Sequence, residues 1–163
     1  MKKDLLKVGI IGHRYLKKEA SFYANEIKKI FNLLKKEHSL QLLSSVAIGS
    51  DTIASKVALQ DNIPLISIIP FTLERYKNDF NDKELEELDY LIGKSHKIIE
   101  LNGNDYEIAA DYLINCCDII IFIYNGVELP LINDKHEPIN RGGTYHTLLK
   151  VKKLNKTHII IND

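Results

Sequence analysis

The 163 residues carry 22 Lys+Arg against 22 Asp+Glu, a formal net charge of zero, with 45% apolar and 27% charged residues. This is the composition of one globular domain able to bury a core. Its neutrality provides no global field toward DNA, RNA or an anionic membrane, so neither nucleic acid nor membrane is an expected partner.

The elements follow in order. Leu5–Ile11 reads as a buried strand. Ala20–Lys36 is an amphipathic helix, with Tyr23, Ile27, Ile30, Phe31 and Leu34 recurring at three- and four-residue spacing. Leu40–Ser44 is a second strand. Gly49-Ser50-Asp51 then places Ser50 or Asp51 to cap a helix through Gln60. Pro64–Ile69 is a third strand, closed by Pro70-Phe71. The pattern from Thr72 to Phe80 is irregular, and Asp82–Ile92 is an acidic amphipathic helix. Lys97–Leu101 is a short strand, Tyr106–Asn115 a helix, and Asp118–Tyr124 the most hydrophobic strand. A long polar loop, Asn125–Arg141, precedes a helix over Thr144–Leu154 and a last strand over His158–Ile161.

Strands alternate with helices, and the strands are continuous apolar runs. That pattern predicts an α/β fold: an open, doubly wound, mainly parallel sheet with helices on both faces, formed as a single domain over 1–163. Met1-Lys2-Lys3-Asp4 lacks a signal-peptide cleavage site, and the longest apolar runs fall far short of the ~20 residues of a spanning helix. Cys116 and Cys117 are adjacent and unsuited to closing a loop, so a reduced, cytoplasmic protein is expected.

Arginine is scarce: only Arg14, Arg75 and Arg141 occur beside 19 lysines. Two of the three adjoin glycine turns, Gly12-His13-Arg14 and Arg141-Gly142-Gly143. A guanidinium offers a planar fork of donors that suits phosphate. In a doubly wound sheet, ligands bind outside the carboxyl ends of the strands. That rule collects Gly12, His13 and Arg14, then Gly49, Ser50 and Asp51, then Pro70, Phe71 and Tyr76, then Asn125 and Gly126, and finally Arg141, Gly142, Gly143 and Thr144. The last group opens a helix whose free N–H groups and dipole favour an anion. His13 and Asp51 are the candidate acid/base groups, with packing and helix capping as their plainer readings. Gly9 and Gly12 do not complete G-x-G-x-x-G, and no P-loop sequence occurs. No histidine or cysteine spacing supports a metal, and no cofactor is indicated.

With these residues in place the chain resembles the SLOG superfamily, the Rossmann-like group that includes LOG nucleotide phosphoribohydrolases, DprA and nucleotide-sensing domains of bacterial defence proteins. The resemblance runs almost end to end, through VGIIGHR, SSVAIGSDTIASKVAL, IIPFTLERYKNDF, CCDIIIFIYNG and RGGTYHTL. It implies a nucleotide or nucleotide-derived ligand, cyclic or NAD-derived, of the sort sensed in bacterial and phage immunity. It also implies a homodimer or higher homo-oligomer, and a partner effector protein to which a stand-alone member would report. LOG hydrolases resemble Gly-Gly-x-Gly-Thr-x-x-Glu at the last loop, where the Glu serves catalysis. Anchoring on Gly143-Thr144 puts Thr147 at that position. Without that carboxylate a binding module is the leading reading. A nucleotide N-glycosidase using Asp51 or His13 is the rival, and an interaction protein with a vestigial pocket is the third.

Overall fold

A computed structural model describes residues 2–126 and 143–163. The long loop, with Arg141 and Gly142, lies outside the described residues.

Six strands, β1 (Asp4–Gly12), β2 (His38–Ser44), β3 (Leu65–Ile69), β4 (Lys97–Glu100), β5 (Ile119–Tyr124) and β6 (His158–Asn162), form one sheet in the order β4-β3-β2-β1-β5-β6. Every pairing is parallel, with Val8 opposite Leu42 on one side and Gly9 opposite Ile120 on the other. The chain therefore winds outward from β1 through β4, then returns to the far side of β1. That reversal leaves a crevice beyond the carboxyl ends of β1 and β5.

Helices cover both faces. One core is built by α1 (Ala20–Leu34), α2 (Ser50–Gln60), α3 (Leu73–Lys77) and α4 (Asp82–Lys94), through Tyr23, Ile27, Phe31, Ala54, Tyr76 and Leu88. The other is built by α5 (Glu107–Cys116) and α6 (Gly143–Lys153), through Ala109, Leu113, Leu148 and Val151 against Ile120 and Phe122. Strands sandwiched this way must be apolar on both faces, which is why β3 and β5 read as unbroken hydrophobic runs.

Two local expectations are corrected. The segment after Phe71 is not irregular: α3 forms there, with the Thr72 side chain accepting the Arg75 N–H at 3.3 Å. Five residues carry no readable period, and its anchor is tertiary, the burial of Tyr76. Neither Ser50 nor Asp51 caps α2. Gly49 occupies that position at φ 89°, and a Cβ there would lie 2.3 Å from the Arg14 carbonyl oxygen. Both the positive φ and the close approach require glycine.

Candidate functional site

The loops after β1, β2, β3 and β5 meet at the carboxyl edge. Gly12 ends β1, and a Cβ on it would come within 2.6 Å of the Ser50 Cβ. Ser50 donates to the His13 carbonyl twice, through its backbone N–H at 3.2 Å and its hydroxyl at 2.8 Å. This clamp fixes the path of the chain through His13 and Arg14. Ser50 is fully buried, so the expectation that it faces a ligand is corrected: its hydroxyl is spent inside the protein.

His13 reaches across the crevice. Its Nε2 accepts the Asn125 N–H at 3.1 Å, and its ring centroid lies 5.8 Å from that of Tyr124. Partial burial lowers its pKa, opposed by the charge of Asp163. A neutral ring accepting at Nε2 carries its proton on Nδ1. His13 thus joins β1 to β5. Gly126 follows at φ 80° and is exposed.

Arg14 is exposed and turns toward the loop before α5, its guanidinium carbon 5.7 Å from the centre of the Tyr106 ring. Arg75, from α3, lies 3.9 Å over the Phe71 ring. Phe71 and Tyr106 meet edge to face at 5.1 Å. Both arginines among the described residues therefore rest on one aromatic pair. Cation–π contact is favourable at this range, and Arg75 Nη1 also donates to the Gly103 carbonyl at 3.5 Å. The Tyr106 hydroxyl donates to Asp79 Oδ2. Partial burial, then Asp79, raise the Tyr106 pKa. Pro70 and Phe71 are buried and form the wall behind this pair, with the Pro70 carbonyl accepting the Gly103 N–H at 2.7 Å.

Tyr76 is not a lid. It is completely buried, and its hydroxyl donates to the Ser45 carbonyl at 2.8 Å, which holds the loop after β2. Asp51 sits in the same loop region, 9% exposed, and accepts the Ala47 N–H at 3.3 Å. Burial pushes its pKa up to about 7, against the opposing pull of the Ala47 amide and the Arg14 charge. A carboxyl held there changes charge near neutrality, within range of the Arg14 charge.

At α6, Gly143 is exposed and Thr144 is buried at 9% exposure. Thr147 is buried and returns its hydroxyl to the Gly143 carbonyl at 2.9 Å. Tyr145 stacks on Tyr124 with centroids 6.2 Å apart. Among the described residues, no group of three His, Cys, Asp or Glu side chains is placed to hold a metal ion. No helix among them is long and apolar enough to cross a membrane. A depression of about 460 Å³ lined by Ala24, Ile53 and Val57 lies to one side, between α1 and α2, with no arginine in its wall.

Three residues of this edge are not among those collected from the loops: Arg75 and Asp79, which fall in the mixed aromatic and charged run Glu74–Phe80, and Tyr106, at the start of a helix. Arg75 stood out in the arginine census but adjoins no glycine. Nothing in the sequence joins it to Tyr106 until β3 and β4 are known to be neighbours.

No family model matches the sequence, and no curated protein does. Solved structures match over nearly its whole length. DNA processing protein A (DprA) from Streptococcus pneumoniae is 21% identical with a TM-score of 0.63, covering 98% of this chain and 51% of its own. DprA from Helicobacter pylori, described by a single-stranded DNA binding mode, is 19% identical with a TM-score of 0.61, covering 97% of this chain and 66% of its own. The Moco carrier protein from Chlamydomonas reinhardtii is 14% identical with a TM-score of 0.55, covering 98% and 76%. The chain shares the Rossmann-like, parallel-sheet α/β fold of these structures. It spans about half the length of the first DprA and two thirds of the second.

The match overturns one expectation. Zero net charge argues against nucleic acid, yet the fold is shared with a protein described by a single-stranded DNA binding mode. Net charge is a sum over the whole surface, whereas a strand meets only the edge it touches. Here that edge gathers Arg14 and Arg75.

Proposed function

We propose that this Rossmann-like domain binds a phosphate-bearing nucleotide, or a ligand derived from one, at the carboxyl edge of its sheet. The observation that carries this is the convergence of Arg14 and Arg75 on the Phe71–Tyr106 pair. Arg14 supplies the phosphate contact, since it is exposed and its loop is fixed by Ser50. Sequence adds Arg141, Gly142 and Gly143 as a second anion-binding loop opening α6. The family pattern supports binding over turnover: Thr147 stands where LOG hydrolases carry Glu, and its hydroxyl is engaged within α6. A protein named as a carrier shares the fold. A reduced cytoplasm suits Cys116 and Cys117, both free thiols. The ligand is sensed or sequestered, and a signalling nucleotide of bacterial or phage immunity is the setting the family resemblance suggests.

Mass spectrometry of small molecules released from purified, denatured protein tests this. A co-purifying phosphorylated nucleoside is the expected result; its absence, together with no binding of a nucleotide panel, overturns the reading. A hydrolase reading is favoured by one observation, the Asp51 carboxyl pushed up to about 7 within range of the Arg14 charge. Such a group can donate a proton at neutral pH. Release of free base from a nucleoside monophosphate, abolished by Asp51→Asn, establishes that reading instead.

A further inference from the structure

Tyr106 stands apart from the aromatics around it. Phe71, Tyr76 and Phe80 are buried, but Tyr106 keeps 44% of its surface exposed at the ligand edge. Its inner side is packed: Phe71 meets it edge to face at 5.1 Å, and Tyr76 lies at 6.2 Å. Its hydroxyl is tied to Asp79. The ring is thus held in one plane from behind and from its far end. The Arg14 guanidinium lies over the ring, 5.7 Å from its centre, as the resting cover of the exposed face. A tyrosine exposed by accident has no need of such support.

We propose that the exposed face of Tyr106 is a stacking platform for a nucleobase, placed so that the phosphate of the same ligand reaches Arg14. This inference rests on the proposed phosphate-bearing ligand and adds the part of it that the arginines do not read. Every base has a π-face, and stacking on an aromatic side chain is sequence-tolerant. Locking the ring beforehand lowers the ordering cost of binding. Arg14 shifts from its resting contact with Tyr106 to the phosphate, so one residue pair serves both halves of the ligand. The base arrives on a free nucleotide or on a unit of a single strand. Tyr15, 87% exposed and next to Arg14, separates the two sources, because a mononucleotide on Tyr106 has no second base to place there.

The probes are adenosine monophosphate, adenosine, ribose 5-phosphate and a short single-stranded oligothymidylate, titrated calorimetrically into the purified chain. Tyr106→Leu is expected to weaken adenosine monophosphate about tenfold, the scale of one base stack, and to leave ribose 5-phosphate unchanged. Tyr106→Phe, which keeps the ring, stays within about twofold. If the Leu variant does not fold, adenine proton signals of the nucleotide bound to the unmodified chain give a second reading, since stacking on Tyr106 moves them upfield and Tyr106→Phe preserves that shift. Equal affinity of adenosine monophosphate and ribose 5-phosphate overturns the platform while leaving the phosphate site standing. Binding of adenosine without ribose 5-phosphate does the reverse. If none of the probes binds, both readings fall. Tyr15→Leu weakening the oligonucleotide alone identifies a strand as the source; no effect on either probe identifies the free nucleotide.

Discussion

Ser50 and His13 are joined by two hydrogen bonds to one carbonyl oxygen, from the backbone N–H at 3.2 Å and from the hydroxyl at 2.8 Å. The first turn of α2 is thereby fastened to the loop that presents Arg14. Gly12 makes the contact possible, since a Cβ on it would stand 2.3 Å from the Ser50 Oγ and 3.0 Å from the Ile123 Cβ.

Ser50→Ala removes one of two donors and is expected to cost about 1 kcal/mol. Gly12→Ala is worse, about 2–3 kcal/mol, because backbone and side chain must part to admit the methyl group. Combining Gly12→Ala with Ser50→Gly relieves most of that clash, so the double variant should lose less than Gly12→Ala and Ser50→Gly lose separately, added together. Urea unfolding of the four proteins measures the coupling. Additive losses would mean that the loops move apart freely and the clamp does not exist.

The sheet was legible because buried parallel strands have no polar face to hide: Ile119–Tyr124 and Leu65–Ile69 announce themselves. Helix α1 was legible from Tyr23, Ile27 and Phe31, which recur every four residues and are all buried. Helix α3 was not, because Tyr76 and the Thr72 cap act through tertiary contact and a single turn. The glycine loops could be placed at the carboxyl edge from alternation alone. The roles of Ser50 and Tyr76 could not: a hydroxyl reads the same in a sequence whether it faces a ligand or a carbonyl 2.8 Å away. Tyr106 became visible only when strand order brought it beside Arg14.

Asp51 gives the fold a pH dependence of definite sign. Burial raises its folded pKa from 3.8 to about 7, so the folded state prefers the protonated form. Stability is undiminished below the unfolded value and is lost as pH rises toward the folded one. The loss approaches about 4 kcal/mol above neutrality, from roughly 1.4 kcal/mol per pKa unit over about three units. Asp51→Asn keeps an acceptor for the Ala47 N–H and cannot ionise. Its stability should therefore fall less than that of the parent between about pH 5 and pH 8, by about 2–3 kcal/mol, since the rest of the loss is already present at pH 5. Parallel slopes in urea unfolding at the two pH values would show that Asp51 is solvated in the folded chain.

Arg14→Lys keeps the charge and removes the fork. It is expected to weaken ribose 5-phosphate binding by about 1–3 kcal/mol, the scale of a charged hydrogen bond. The unfolding free energy should stay within about 0.5 kcal/mol of the parent, because the side chain is exposed. Calorimetric titration beside a thermal melt reads both quantities. Unchanged affinity would place the phosphate elsewhere, with Arg141 the next residue to replace by lysine.

Val46 is buried, 1% exposed, yet has φ 50°. A β-branched residue in the left-handed region is strained, by about 1–3 kcal/mol. Three contacts hold the backbone there: Tyr76 takes the Ser45 carbonyl at 2.8 Å, the Ser44 hydroxyl takes the Val46 N–H at 3.0 Å, and Asp51 takes the Ala47 N–H at 3.3 Å. Val46→Gly relieves the strain but exposes a buried site and loosens the unfolded chain. Losing the side chain costs about 1.5–3 kcal/mol, and the added freedom about 1 kcal/mol more. The two losses outweigh the relief, so Val46→Gly should destabilise by about 1–2 kcal/mol. That is less than a buried valine normally forfeits, because relief of strain offsets part of it. Tyr76→Phe removes one of the three holding contacts, and in the Val46→Gly background it should cost less than in the parent, since glycine needs no help to stay left-handed. Equal costs in the two backgrounds, read from urea unfolding, would show that the Tyr76 hydroxyl supports something other than this turn.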